Sequence, residues 1–184
     1  MKKAVLALGL AAVAFGAQAQ KSNAIKVNIL SPLVKTGSFF YERKITENKS
    51  AQLGVGFTSW GKADATKLSG IFITPEFRFY LNGEALNGFY VAPFLRYQNL
   101  KVTTKSSDFS GNASESKGTL NTFGGGVMAG RQWMLGDIVT LDLFIGPSYN
   151  VGDVKYESSN GDADIPASFS GFGVRTGITL GIAF

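Results

Sequence analysis

Eight charged side chains share an unusual placement: Lys26, Glu42, Lys44, Glu76, Arg78, Arg96, Asp142 and Arg175. Each lies on the polar side of a stretch that alternates apolar and polar residues, so all eight face one side of a sheet. Five are basic and three acidic. Neighbouring carboxylates in such a set could trade protons as general acid and base. Opposite charges in a narrow space could form a constriction, or a gate whose pairs exchange. They could equally lock together as a static plug, because isolated charges away from water are costly and must pair. Counted from the strand ends, Lys26, Glu42, Lys44, Arg78 and Asp142 fall at similar heights. Glu76 is a little higher, beside Arg96, and Arg175 is higher still. The acid–base reading is the weakest, since Glu42 and Glu76 already have basic neighbours. The chain has no histidine, which removes the usual general base at neutral pH and any Ser–His hydrolase. It has no cysteine either, so there is no disulfide framework and no thiolate metal site. The expectation is a non-enzymatic protein without a cofactor.

Three other stretches invite chemistry and carry less of it. Gly124-Gly125-Gly126 through Gly130 suggests a phosphate loop, but the segment runs on as a strand through Trp133 and no helix N-terminus follows. The run Tyr156–Ala167 holds Glu157, Asp162 and Asp164, which could meet a divalent cation, yet calcium-loop spacing is missing and a solvated loop explains it. Ser106–Ser116 is polar and Ser-rich, with Phe109 at its centre as a contact point or an ordinary exposed aromatic.

The elements that must position the charges are strands. Alternation recurs in Ala24–Leu33, Ser38–Ile45, Ala51–Trp60, Ile71–Leu81, Phe89–Leu100, Thr119–Leu135, Val139–Val151 and Ser168–Phe184. In the last of these, Phe172, Val174, Thr176, Ile178, Leu180, Ile182 and Phe184 share one face, while Gly171, Gly173, Arg175, Gly177 and Gly181 share the other. Thr46–Lys49, Asn82–Asn87 and Leu135–Ile138 are short turns rich in Asn, Gly and Asp; 60–69, 103–118 and 152–167 are longer and polar. Ser31–Gly37 is a short connection among the long ones. With strands running up and down, short turns fall at one end and long loops at the other, the layout of a bacterial outer-membrane barrel. The expected fold is all-β: an eight-stranded antiparallel up-and-down transmembrane β-barrel.

Residues 1–19 read as a secretory signal peptide: Lys2 and Lys3, an apolar run from Ala4 to Ala17, then Ala17-Gln18-Ala19 in small-x-small form. Residues 20–184 then form one barrel domain. Without Lys2 and Lys3 the net charge falls from +5 to +3, too balanced to argue for nucleic acid.

Alternation alone does not say which face is inside. The polar face is mostly Gly, Ala, Ser, Thr, Asn and Gln, too poor in charge for a soluble exterior and suited to a narrow lumen. Aromatics of the apolar face, among them Phe39, Tyr97, Trp133, Tyr149, Phe172 and Phe184, sit near strand ends as interfacial girdles do. The apolar face is therefore expected to meet lipid. Pro75, Pro93 and Pro147 lie on it within strands, where bulges or local breaks are expected. Arg131 also has lipid-facing parity; either it snorkels to the interface or the register slips near Gly124–Gly126.

The segments KVNILSP (Lys26–Pro32), YERK (Tyr41–Lys44), TPEFRFY (Thr74–Tyr80), GFYVAPFLRY (Gly88–Tyr97) and LDLFIGPSY (Leu141–Tyr149) carry a family likeness. The chain resembles the small outer-membrane β-barrel proteins common in Bacteroidota, including a family described only as a domain of unknown function. It is also similar to the wider class of eight-stranded barrels with charged cores. That resemblance implies that Ile178, Leu180, Ile182 and Phe184 are part of the signal read by the barrel assembly machinery; Thr179 stands where that class often has glycine. It supplies no catalytic or ligand-binding residue.

The expectation that follows is a barrel in the outer membrane of a Gram-negative bacterium, in contact with outer-membrane lipid. Its lumen is salt-bridged and largely plugged, and it anchors external loops 60–69, 103–118 and 152–167. These would serve envelope integrity or contact an extracellular partner. The alternatives are a narrow passive pore for small solutes or ions, favouring anions, and a soluble calyx for an apolar ligand.

Overall fold

The computed structural model describes residues 21–61, 66–107, 113–158 and 167–184. The signal expected at 1–19 lies outside them, as do Phe109, Asp162 and Asp164. The strands are β1 (Asn23–Asn28), β2 (Thr36–Thr46), β3 (Lys49–Gly61), β4 (Thr66–Glu84), β5 (Asn87–Ser107), β6 (Ala113–Leu135), β7 (Val139–Ser158) and β8 (Ala167–Ala183). Each pairs antiparallel with the next, and β8 returns to β1, so the sheet closes into an eight-stranded up-and-down barrel. Closure joins β8 to β1 from Thr179 to Ala183; an open sheet this apolar on one side would leave its edge backbone unpaired in hydrocarbon.

The two faces are inverted relative to a water-soluble barrel. Apolar residues point outward and stay exposed, from Ile71 and Leu95 to Val174 and Phe172, the last 88% exposed. Charged and polar residues point inward and are buried. Glycines on the inner face seat the large inward side chains of the next strand. A Cβ at Gly130 would strike the Tyr90 ring, one at Gly177 the Phe144 ring, and one at Gly181 the Lys26 stem.

Strand height varies around the wall. β1 has 6 residues and β2 has 11, against 21 in β5 and 23 in β6. A tilted strand crosses hydrocarbon in roughly 9–11 residues, so the far ends of the tall strands extend well past that length. This corrects the loop assignments. Much of 60–69, 103–118 and 152–167 is strand, because β4 begins at Thr66, β5 runs to Ser107 and β7 to Ser158. Residues 62–65, 108–112 and 159–166 lie outside the described set.

β1 is shorter than expected. After Asn28 the chain turns into a 3-10 helix, Ser31–Val34, with Pro32 in its first turn. The Asn28 side-chain oxygen accepts from the Leu30 N–H at 2.9 Å, and Ser31 donates to the Asn28 carbonyl at 2.9 Å, as turn residues do. Of the bulges or local breaks expected at the strand prolines, the structure has local breaks and no bulge. Pairing skips Thr74–Pro75 and, opposite Pro93, Phe77–Arg78 in β4–β5, and skips Val127–Met128, opposite Pro147, in β6–β7, but the register on either side is unchanged. The register shifts lie instead at Lys44/Thr46 and Tyr80/Asn82, beside short turns. The β5–β6 ladder is continuous through Gly124–Gly126, so no slip puts Arg131 on the outer face.

The short turns are tight. Gly136 and Asp137 both have positive φ, 56° and 61°, as a short hairpin connection demands. The β4–β5 turn does something less expected. Leu86, at φ 76°, is 1% exposed and packs with Ala24 and Ala183, with Met134 against them. The Ala85 N–H donates to the Glu47 carbonyl at 2.6 Å. A segment with the composition of a solvated turn thus folds under the barrel and puts an apolar side chain across its short-turn end.

Candidate functional site

Alternation on β1, β2, β4, β7 and β8 delivers six of the eight charges to one buried cluster. Lys26 reaches from β1 and donates to Glu42 Oε2 at 2.6 Å, Gln132 Oε1 at 3.0 Å and Asp142 Oδ2 at 3.2 Å, satisfying its three ammonium protons. Arg78 lies across the centre from β4. Its Nη1 meets Asp142 Oδ2 at 2.8 Å, Gln132 Oε1 at 3.0 Å and Glu42 Oε2 at 3.6 Å, and its Nη2 meets Glu76 Oε2 at 3.2 Å. Arg175 donates from β8 to Glu76 Oε1. Three cations, Lys26, Arg78 and Arg175, therefore face three carboxylates, Glu42, Glu76 and Asp142, and the cluster is neutral.

Neutral side chains add to the coordination, although Arg78 Nε and Gln132 Nε2 stay buried without a partner. Tyr80 donates to Glu42 Oε1 and Tyr90 to Asp142 Oδ1, both at 2.8 Å. Ser50 donates to Glu42, and Gln52 to Glu76 at 2.9 Å. Aromatic rings flank the cations: Arg78 lies 4.3 Å from the Tyr90 centroid, and Arg175 lies 4.7 and 5.0 Å from Phe94 and Phe144. Ser50, Gln52, Tyr80, Tyr90 and Gln132 were not among the candidate residues. Their inward parity was visible, and a search for neutral donors on the charged face would have found them.

The other two charges stand apart. Lys44 is on the right face but toward the rim, where it meets the exposed Glu84 at 3.9 Å. Arg96 does not pair with Glu76. The β4–β5 register sets Glu76 opposite Phe94, and the Glu76 carboxylate is occupied by Arg78, Arg175 and Gln52. Arg96 lies instead on the Phe72 ring at 4.3 Å, with its Nε buried and unbonded, and no carboxylate lies within 4 Å of it among the described residues. Opposite it on β6 is Gly124.

Of the assembly-signal residues, Leu180, Ile182 and Phe184 are exposed on the outer wall and Ile178 is half-buried there. Phe184 exchanges backbone bonds with Asn23 at 3.0 and 2.8 Å, next to the β8–β1 closure. No group of three or more His, Cys, Asp or Glu among the described residues could hold a metal ion.

A family profile described as "Protein of unknown function (DUF3575)" matches residues 5–168. No curated protein sequence matches the chain. Among solved structures, the translocator domain of the autotransporter NalP from Neisseria meningitidis aligns over 97% of this chain and 67% of its own, with TM-score 0.52 and 16% identity. The N-terminal β-barrel domain of Pseudomonas aeruginosa OprF aligns over 91% of this chain and all of its own, with TM-score 0.35 and 11% identity. At that identity the likeness to the translocator speaks to the fold alone: a closed antiparallel barrel of the outer-membrane type.

Proposed function

Starting from a chain that belongs to the DUF3575 family of proteins of unknown function, we propose a non-enzymatic integral barrel of the bacterial outer membrane. Its lumen is sealed by the ion-pair cluster, and it presents its tall external hairpins to the surroundings. One observation carries this reading. Lys26, Glu42, Arg78 and Asp142, drawn from four strands around the wall, are all fully buried and bonded to one another across the lumen. Side chains from eight strands nearly fill such a barrel, and no proton-transfer site remains where every carboxylate is already held by a cation. Leu86 adds an apolar closure at the short-turn end. The hairpins β4–β8, polar beyond their membrane-length portions, are the surface left for external contacts or for a structural role in the envelope. Export by the N-terminal signal and insertion through the C-terminal pattern Ile178, Leu180, Ile182 and Phe184 belong to the same proposal.

A narrow passive pore is the second reading, and Arg96 favours it. A cation without a carboxylate in the upper lumen would bias any residual path toward anions. Solute flux into proteoliposomes separates the two. The plug predicts swelling in small neutral solutes and in anion salts no faster than that of empty vesicles. Flux that scales with protein amount would support the pore. Recovery of the folded protein from the periplasm without detergent would overturn both.

A further inference from the structure

Arg131 is a cation on the apolar outer wall, and its surroundings are built rather than incidental. It is exposed, and no carboxylate lies within 4 Å of it among the described residues. Its cross-strand neighbours are Phe89 on β5 and Leu143 on β7. The guanidinium is held against the wall by two rings, 4.5 Å from the Phe89 centroid and 5.0 Å from Trp133. Aromatic faces orient a guanidinium but do not neutralise it. Two residues farther from the short turn, β6 carries Ala129 between Val91 and Ile145. That small side chain among larger ones lies in an open groove of the outer wall bordered by Val91, Leu143, Ile145 and Ile178, with Arg131 and Trp133 at its turn-side end.

A cation at one end of an apolar groove matches one partner chemistry in a bilayer: a phosphate headgroup with an acyl chain below it. The neighbourhood agrees with this. Arg131 is four residues before the end of β6 at Leu135, with Trp133, a residue type of membrane interfaces, between them. A bare Arg at the midplane of a lipid face costs about 2–4 kcal/mol, a cost that a phosphate contact offsets.

We propose that Arg131, Phe89 and Trp133, with the groove at Ala129, form a binding site for one membrane phospholipid in the leaflet at the short-turn end. Arg131 donates to the phosphate, Trp133 and Phe89 fix its guanidinium plane, and an acyl chain fills the groove. This rests on the membrane-barrel reading. It goes beyond snorkelling, which needs only water or bulk headgroups and no specific lipid.

The test is lipid retention by the full-length folded barrel. Protein purified in mild detergent is incubated with phosphatidylglycerol, and bound lipid is counted by native mass spectrometry. Wild type is expected to keep one phosphatidylglycerol. Arg131→Gln is expected to lose it roughly fivefold or more, the loss of one charge-assisted contact. Ala129→Leu, which places a larger side chain in the groove and leaves the charge, should also weaken retention, while Arg43→Gln, on β2 away from the groove, should not. Equal retention by wild type and Arg131→Gln, or no retained lipid in wild type, would overturn the site. Both outcomes leave the barrel reading intact if the protein still inserts into vesicles. Failure to insert would instead sink the membrane reading itself. Heat-dependent gel migration checks that each variant is folded, and urea midpoints of Ala129→Leu guard against a stability artefact.

Discussion

The lower and upper lumen are built from the same alternation and solve opposite problems. In the lower half, Lys26, Arg78 and Arg175 meet Glu42, Glu76 and Asp142, and two tyrosines and two glutamines take up remaining bonding positions. Nothing there is short of a counter-charge. In the upper half, Arg96 faces Gly124 across the ladder, rests on Phe72, and has no carboxylate in reach among the described residues. Burial explains the difference. A charge sealed from water must be neutralised locally, whereas a half-buried one still has a wet side and tolerates imbalance. A polar residue in this barrel is therefore structural or adjustable according to depth and not according to type.

Substitution can break that contrast. The largest effect is expected for Arg78→Leu, which leaves three carboxylates with two cations in a dry site. Stability should fall by about 3–5 kcal/mol, measured by urea unfolding in lipid vesicles; a change under about 1 kcal/mol would mean that water already reaches the cluster. Arg175→Leu should cost less, about 1–3 kcal/mol, because Glu76 keeps Arg78 at 3.2 Å and Gln52 at 2.9 Å. A loss as large as that of Arg78→Leu would show that the Phe94 and Phe144 stacking matters as much as the ion pair. The smallest effect is expected for Arg96→Gln, within about 0.5 kcal/mol of wild type. If it instead destabilised the barrel as Arg175→Leu does, the upper lumen would not be the adjustable half.

Much of this was legible in the sequence. Period-two alternation assigned Glu76, Arg78 and Tyr80 on β4 to the lumen and Phe77 and Phe79 to the outside, because a strand has only two faces. Which charges meet was not legible. Glu76 was expected beside Arg96, but cross-strand height depends on register and on the stagger of a closed barrel. Arg175 reaches the same carboxylate down a long side chain from the far side of the lumen. Lys44 had the right face and the wrong depth. The strand segments inside 103–118 and 152–167 were not legible because their sequences are polar and carry no apolar alternation. Leu86 escaped for the opposite reason. It lies in a turn by composition, and only the fold of that turn beneath the barrel gives it something to bury against. The prolines act as the local breaks expected of them: each lacks a ladder donor, and pairing lapses beside it without a shift of register.

Single-channel recording in a planar bilayer, with wild type and Arg78→Leu side by side, tests most directly whether the cluster seals the lumen. Wild type should insert and stay electrically silent, and Arg78→Leu should show openings as the unpaired carboxylates draw in water. Stable conductance steps from wild type, or steps unaltered by the substitution, would contradict a lumen closed by these ion pairs.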